Sequence, residues 1–230
     1  MEKTLLAGLP RLGLSLTEEQ TARLLRFGQA LLEKNKVMNL TAIKTPEGVA
    51  ELHFLDSLAL LGATDFAGKT VIDVGCGAGF PGVPLKIGCE DLKLTLLDSL
   101  GKRMDWLRET LPPLGVEAEV VTARAEEYAQ SHRERYDICV SRAVARLNIL
   151  AELCLPLVKV GGTFLAMKGA QTRQEAEEAK TAIALLGGKV KDFFAYTVAD
   201  AVHYAVLVEK VKPTPAAYPR DFSRIKKKPL

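Results

Sequence analysis

Cysteine is scarce and scattered in this chain: four residues, at 76, 89, 139 and 154, with no Cys-x-x-Cys pair. Such spacing offers neither a zinc site nor a disulfide framework, so no metal is expected. Cys139 and Cys154 fall in apolar segments and read as small core residues. No apolar run approaches the roughly 18 residues of a membrane-crossing helix. The opening Met1-Glu-Lys-Thr-Leu-Leu6 also lacks the apolar stretch of a signal peptide. A cytoplasmic protein with no membrane partner is the expectation. Net charge is only +3, too small to argue for nucleic acid by itself. Its placement says more, because Arg220 to Leu230 carries five cations against one anion. With 230 residues, 48% hydrophobic and 26% charged, the chain suits one α/β domain with an extension.

The most specific stretch is Val71-Ile-Asp-Val-Gly-Cys-Gly-Ala-Gly-Phe-Pro-Gly82. An apolar run of strand character passes Asp73 and enters glycines at 75, 77, 79 and 82, where the backbone can turn and approach a ligand closely. A strand, such a loop and then a helix hold adenine nucleosides at the carboxyl edge of parallel sheets. Gly77-x-Gly-x-x-Gly82 alone would also fit a dinucleotide. Two details favour S-adenosylmethionine (SAM). Asp73 precedes the first glycine by two residues, where a carboxylate can meet the cationic amino-acid end of that cofactor. Pro81 and Pro84 are tolerable in a first helical turn, whereas a helix start that binds pyrophosphate needs free N–H groups.

Around that loop the chain alternates. Thr17-Glu-Glu-Gln20 signals a helix start, followed by helical apolar spacing to about Lys34. A second helix is predicted over 46–61, with His53, Asp56 and Ser57 on one face, either as a solvated stripe or as a satisfied core histidine. Strand-like runs at 70–74, 92–97, 116–121, 136–141 and 162–167 are separated by helical runs, which implies βαβ units. After a helix over about 171–186, runs at 189–197 and 203–211 are joined too closely for a parallel crossover and must pair antiparallel. The reading is α/β, a seven-stranded Rossmann-like sheet of five parallel strands plus an antiparallel pair. It divides into a helical extension over 1–66, a methyltransferase domain over 67–212 and a basic tail over 213–230.

Strand carboxyl ends should deliver the functional residues. Asp98 ends the second strand, where it can accept bonds from ribose hydroxyls; its alternative is a helix cap. Ser99 follows it, and Ala125-Glu126 follows the third strand, where adenine is usually contacted. Arg142 ends the fourth strand in Cys139-Val-Ser-Arg-Ala-Val144, and Lys168-Gly169 ends the fifth. The Asn/Asp-Pro-Pro-aromatic tetrad of amine methylation is missing after the fourth strand, and no cysteine is placed for attack on pyrimidine C5. A guanidinium at 142 suits a guanine edge or a phosphate. Ring nitrogen N7 carries no proton, so its methylation needs no general base.

Asn39-Leu-Thr-Ala-Ile43, His53-x-x-Asp-Ser-Leu58, the 73–82 loop, Leu97-Asp-Ser-Leu-Gly-Lys-Arg103, Arg124-Ala-Glu-Glu127, Ser141-Arg-Ala143, Lys168-Gly169 and Tyr218-Pro-Arg220 occur in order. Together they resemble the bacterial small-subunit ribosomal RNA guanine-N7 methyltransferases, the glucose-inhibited division protein B family. The resemblance spans about 39 to 230 and implies SAM-dependent transfer to N7 of a guanine in 16S rRNA, within the small ribosomal subunit or an assembly intermediate. It implies SAM contacts at Gly75, Phe80, Ala125, Glu126 and Arg142, alongside Asp73, Gly77, Gly79, Asp98 and Ser99. Cys76 stands where Ser or Thr is commoner in the family, a small-for-small change. Arg142, His53 and Asn39 become the candidate catalytic residues. Arg124, Lys168, Arg220 and Arg224 become the candidate RNA contacts. Two rivals are a non-catalytic RNA-binding assembly factor and a methyltransferase for a small molecule or protein. The tail is expected to be partly extended, to follow phosphates, and to leave the distant cofactor loop untouched.

Overall fold

The computed structural model describes residues 1–142, 145–169 and 171–230. Ala143 and Val144, part of the run after the fourth strand, lie outside the described residues. The strands are β1 (Thr70–Val74), β2 (Lys93–Asp98), β3 (Ala118–Thr122), β4 (Tyr136–Arg142), β5 (Val158–Lys168), β6 (Gly188–Val198) and β7 (Ala201–Lys210). They form one sheet in the order β3-β2-β1-β4-β5-β7-β6. β1 to β5 pair in parallel, and β7 runs antiparallel to both β5 and β6. The strand order reverses beside β1, so the carboxyl ends of β1, β2 and β4 open a crevice at the switch point.

Alternation along β1 assigns its residues to two faces. Val71 packs into an apolar cluster shared with the N-terminal helices α1 (Glu2–Gly8) and α2 (Glu18–Asn35). Ile72 and Val74 face a second cluster on the opposite side. The predicted start of α2 is present as a capping box, with Gln20 N donating to Thr17 Oγ1 at 3.2 Å and Thr17 N to Gln20 Oε1 at 2.9 Å. Phe27 on α2 packs against Phe54, Phe80 and Trp106, at centroid separations of 6.4, 5.6 and 5.8 Å. This aromatic group ties the N-terminal helices to the glycine loop.

The single helix predicted over 46–61 takes a different form. α3 (Pro46–Val49) passes into a π-helical stretch, Ala50–Leu55, then α4 (Asp56–Leu58) and a 3-10 turn, Ala59–Gly62. The Asp56 N–H bonds Glu51 O and His53 O rather than the carbonyl of residue 52. Leu52 O accepts from a tertiary donor instead, and single-turn π insertions recur at functional sites.

Beyond the loop come α5 (Gly82–Gly88), α6 (Gly101–Thr110), α7 (Ala125–Ser131), α8 (Leu147–Cys154), α9 (Thr172–Leu185) and α10 (Phe222–Lys227). The C-terminal segment, expected to be partly extended, runs without helix or strand to residue 221 before α10, and it is tied to the body of the protein. Arg133 donates to the carbonyls of Tyr218 at 2.5 Å and Thr214 at 2.7 Å. Lys210, fully buried, donates to Leu155 O and Thr214 Oγ1 and pairs with Glu134 at 3.2 Å. Arg220 grips Glu152 of α8 with its backbone N–H at 2.9 Å, Nε at 2.8 Å and Nη2 at 2.6 Å. Glu152 is fully buried, so this pair anchors the strap before α10 begins.

Removing one partner of a buried ion pair strands the other charge. Arg220→Ala should therefore lower stability by about 3–5 kcal/mol, while Ser223→Ala, at an exposed position, should stay within about 0.5 kcal/mol. Urea denaturation of both variants checks this; equal midpoints would show that the strap contributes nothing to the fold.

Candidate active site

Asp73 sits at the base of the glycine loop and is fully buried. Its Oδ2 accepts from Gly82 N at 2.7 Å, while Oδ1 has no hydrogen-bond partner. Burial pushes its carboxyl up to about 7. Gly82 has to be glycine, because an added Cβ would stand 2.7 Å from Leu96 and 2.9 Å from Asp73 Oδ2. Gly79 adopts φ of +92°, and its Cβ would meet Val83 at 2.7 Å. Asp73 thus shapes the loop from behind. It does not line the cavity in front of it, contrary to a direct contact with the cofactor's amino-acid end.

That cavity, about 530 Å³, opens at the carboxyl ends of β1, β2, β3 and β4. Gly75, Gly77, Phe80, Asp98 and Ser99 line it, with Ala125 and Glu126 at the β3 end and His53 and Arg142 at the β4 end. Asp98 Oδ2 accepts from Gly77 N and Oδ1 from Leu100 N, both at 2.9 Å. Asp98 does not cap α6, whose N-cap is Leu100 with no side-chain bond; its bond to Leu100 N closes a local turn, and each oxygen keeps a lone pair for a hydroxyl donor. Cys76 is buried against Met104, with Sγ 4.0 Å from the thioether, and burial pushes its thiol up. It acts as a small apolar filler.

The β4 end is a chain of hydrogen bonds drawn from five places in the sequence. Arg142 Nη1 donates to Asp56 Oδ2 at 2.9 Å and to Leu52 O at 3.0 Å. Its Nη2 reaches His53 Nδ1 at 2.9 Å. Asp56 Oδ1 also accepts from Tyr196 Oη of β6 at 3.0 Å and from His203 Nδ1 of β7 at 2.8 Å. Ser57, read onto the same helical face, turns inward instead and donates to His53 O at 2.6 Å.

A guanidinium only donates, so His53 Nδ1 must accept and the ring proton sits on Nε2. That proton goes to Thr41 Oγ1 at 2.8 Å. Burial and the adjacent Arg142 charge hold the ring neutral, lowering its pKa to about 3. The ring stacks on Phe80 at 4.3 Å, with the Arg142 guanidinium 5.3 Å from the Phe80 centroid. With both nitrogens engaged, His53 holds other groups in place and has no free lone pair to act as a base.

The other candidates separate clearly. Asn39 is exposed, and its carbonyl accepts from Arg103 Nη2 at 3.3 Å. Arg124 lines the cavity with its side chain 55% exposed, and Arg224 is 76% exposed. Lys168, a candidate RNA contact, is spent inside the protein instead: it pairs with Glu175 at 2.9 Å, donates to Ala145 O, and is only 9% exposed. Arg220 is likewise committed to Glu152, whose burial demands a cation. Sequence reasoning passed over Thr41, Arg103, Tyr196, His203 and Phe222. Thr41 and Arg103 lay inside quoted motifs, while the other three carry no local signal. Phe222 lines the cavity, so the tail, expected to lie far from the cofactor loop, reaches the same cavity.

Sheet order and a crevice at the switch point define the class, the Rossmann-like fold of SAM-dependent methyltransferases. A solved SAM dependent methyltransferase from Aquifex aeolicus shares it, with a TM-score of 0.56 at 18% identity over 73% of this chain and 94% of that one. TrmN from Thermus thermophilus superposes with a TM-score of 0.55 at 18% identity, over 68% and 48%. The family described as rRNA small subunit methyltransferase G matches residues 20–201. Ribosomal RNA small subunit methyltransferase G of Alkaliphilus metalliredigens is 47% identical over 229 residues, 97% of this chain and 96% of that protein. Its namesake in Acetivibrio thermocellus is 42% identical over 235 residues, 100% and 97%. The chain belongs to the rRNA small subunit methyltransferase G family.

A ring held neutral in the fold gives a signed pH effect. Unfolded His53 would take a proton near 6.5 but the folded ring only near 3, so its contribution is complete above about 6.5 and is lost as pH falls toward 3. The loss is at most about 1.4 kcal/mol per pH unit. Urea midpoints at pH 7 and 4.5 should fall further for wild type than for His53→Gln; equal falls would mean the ring is not held neutral.

Proposed function

We propose that this chain transfers a methyl group from SAM to N7 of a guanine in 16S ribosomal RNA, in the cytoplasm, on the small subunit or an assembly intermediate. The observation that carries this reading is the state of His53. The β4 end of the cavity holds an arginine and a neutral, doubly bonded histidine, and among the described residues there no group is placed to remove a proton. An amine or hydroxyl acceptor would need that proton removed, whereas N7 attacks with a free lone pair.

The residues present suit SAM. The glycine turns and the Asp98 carboxylate form a cradle, and the volume lies within the range of small-molecule sites. When bound, SAM supplies an electrophilic methyl on sulfur for in-line transfer. Asp98 would hold the ribose, Ala125 and Glu126 the base of the cofactor, and Phe80 the wall beneath. Arg142 spends three of its five N–H donors on Leu52, Asp56 and His53, which fixes its plane and leaves two for a guanine edge or cofactor. Rate enhancement then comes mainly from alignment, for which effective molarities of about 10⁵–10⁸ M are known. Arg124 at the mouth and Arg224, Lys226, Lys227 and Lys228 of the tail are exposed cations suited to phosphates.

The direct test is tritium transfer from labelled SAM to small subunits from a strain lacking the gene. Label should appear in 16S rRNA as 7-methylguanosine, with single-turnover rates nearly flat between about pH 6.5 and 8.5, since no base titrates there. Label elsewhere, or none, defeats the proposal. A steep pH limb abolished by His53→Gln would restore His53 as a base.

Salt dependence tests the tail. Replacing Arg224, Lys226, Lys227 and Lys228 with Ala should flatten the slope of log affinity against log salt by roughly 2–4 units, at about 0.7–0.9 per phosphate contact. An unchanged slope on the same RNA would remove α10 from the RNA-binding surface.

A further inference from the structure

The far end of the cavity differs in character from the Arg142 end. Ala123 and Ala125 at the end of β3, Leu153 on α8 and Phe222 on α10 make an apolar slot, with the Glu126 carboxylate at its edge. Such a slot accepts a flat heteroaromatic ring, and a carboxylate can take a bond from an exocyclic amine. Three of these apolar residues belong to the α/β framework. The fourth arrives from the chain's last helix.

Its placement is fixed. Arg220, two residues earlier, is clamped to Glu152, the neighbour of Leu153. Ile225, one turn later, is fully buried in the second apolar cluster. Asn148 Nδ2 on α8 donates to Leu230 O at 3.2 Å, closing the strap behind α10. Between these anchors the Phe222 ring remains half-exposed: it packs on one side against the second apolar cluster and otherwise meets the cavity and the Arg124 guanidinium, 6.0 Å from the ring centroid. A rigidly carried, partly open aromatic ring on the wall of a nucleoside-sized cavity is a stacking platform.

We propose that Phe222 contacts the adenine ring of SAM, so that the C-terminal strap forms the outer wall of the cofactor site. This rests on the SAM reading above. It gives the Arg220–Glu152 pair a second consequence, because the clamp that stabilises the strap also sets the ring's position. It also puts the tail cations on the same short helix as a cofactor contact.

Calorimetric titration of full-length protein with SAM tests it. Phe222→Ala should weaken binding about tenfold, within the range of a lost base–aromatic stack, whereas Phe222→Tyr should retain affinity. Ser223→Ala, on the same helix, should bind as wild type. Wild type that fails to bind SAM would sink the cofactor reading itself. Wild type that binds, with Phe222→Ala equal to it, would overturn only the inference. Should Phe222→Ala also lose its thermal transition, Phe222→Trp decides: its indole emission should be quenched on adding SAM beyond any change at Trp106 in wild type. Absence of that extra quenching overturns the proposal.

Discussion

Asp56 and Arg142 form the contact on which the site's geometry depends. Asp56 is 7% exposed and Arg142 17%, so neither charge has enough water to stand alone, and each would be costly without the other. The pair joins the N-terminal helical segment to the end of β4, where Arg142 lines the cavity. Its remaining valences draw in four further groups. Tyr196 and His203 complete the carboxylate, while Leu52 O and His53 Nδ1 complete the guanidinium. The neutrality of His53 follows from that arrangement, because a ring nitrogen facing a guanidinium cannot keep a proton. The engagement of both His53 nitrogens is thus built into the electrostatics of the fold.

A second buried pair does comparable work at the other end. Glu152 is inaccessible to water, and Arg220 neutralises it from a segment that the primary structure would place among solvated termini. The C-terminal segment therefore contains two kinds of cation. Those with buried partners, Lys210 and Arg220, hold the strap, and those at the surface, such as Arg224 with only the exposed Asp221 4.0 Å away, remain accessible to an external anion. Net composition cannot separate these kinds, since the same residue types serve both.

Much of the architecture was legible before folding. Period-two and helical spacing placed all seven strands and the capping box at Thr17, and the short link between the last two strands forced their antiparallel pairing. Glycines at 75, 77, 79 and 82 marked the ligand loop: the first three take positive φ, and an added Cβ at 79 or 82 would collide with its neighbours. The π-helical stretch at Ala50–Leu55 was not legible: nothing local distinguishes it from a regular helix, and it is stabilised by a tertiary donor, Arg142, that claims Leu52 O. Phe222 was missed for a related reason, since a lone aromatic in a charged tail has no periodic partner to indicate a buried face.

By itself, then, the sequence determined what depends on near neighbours: strand and helix periodicity, the glycine turn, the acid at the end of β2, and a family resemblance carried by ordered short motifs. The tertiary structure decided which polar groups have partners. Asp73 turned out to stand behind the loop, Lys168 to pair with Glu175, Arg220 to pair with Glu152, and His53 to be locked between Thr41 and Arg142. Each of these outcomes depends on the distance and burial of residues far apart in the chain. Those quantities set the cost of leaving a charge or lone pair unmatched, and they do not exist until the elements have packed.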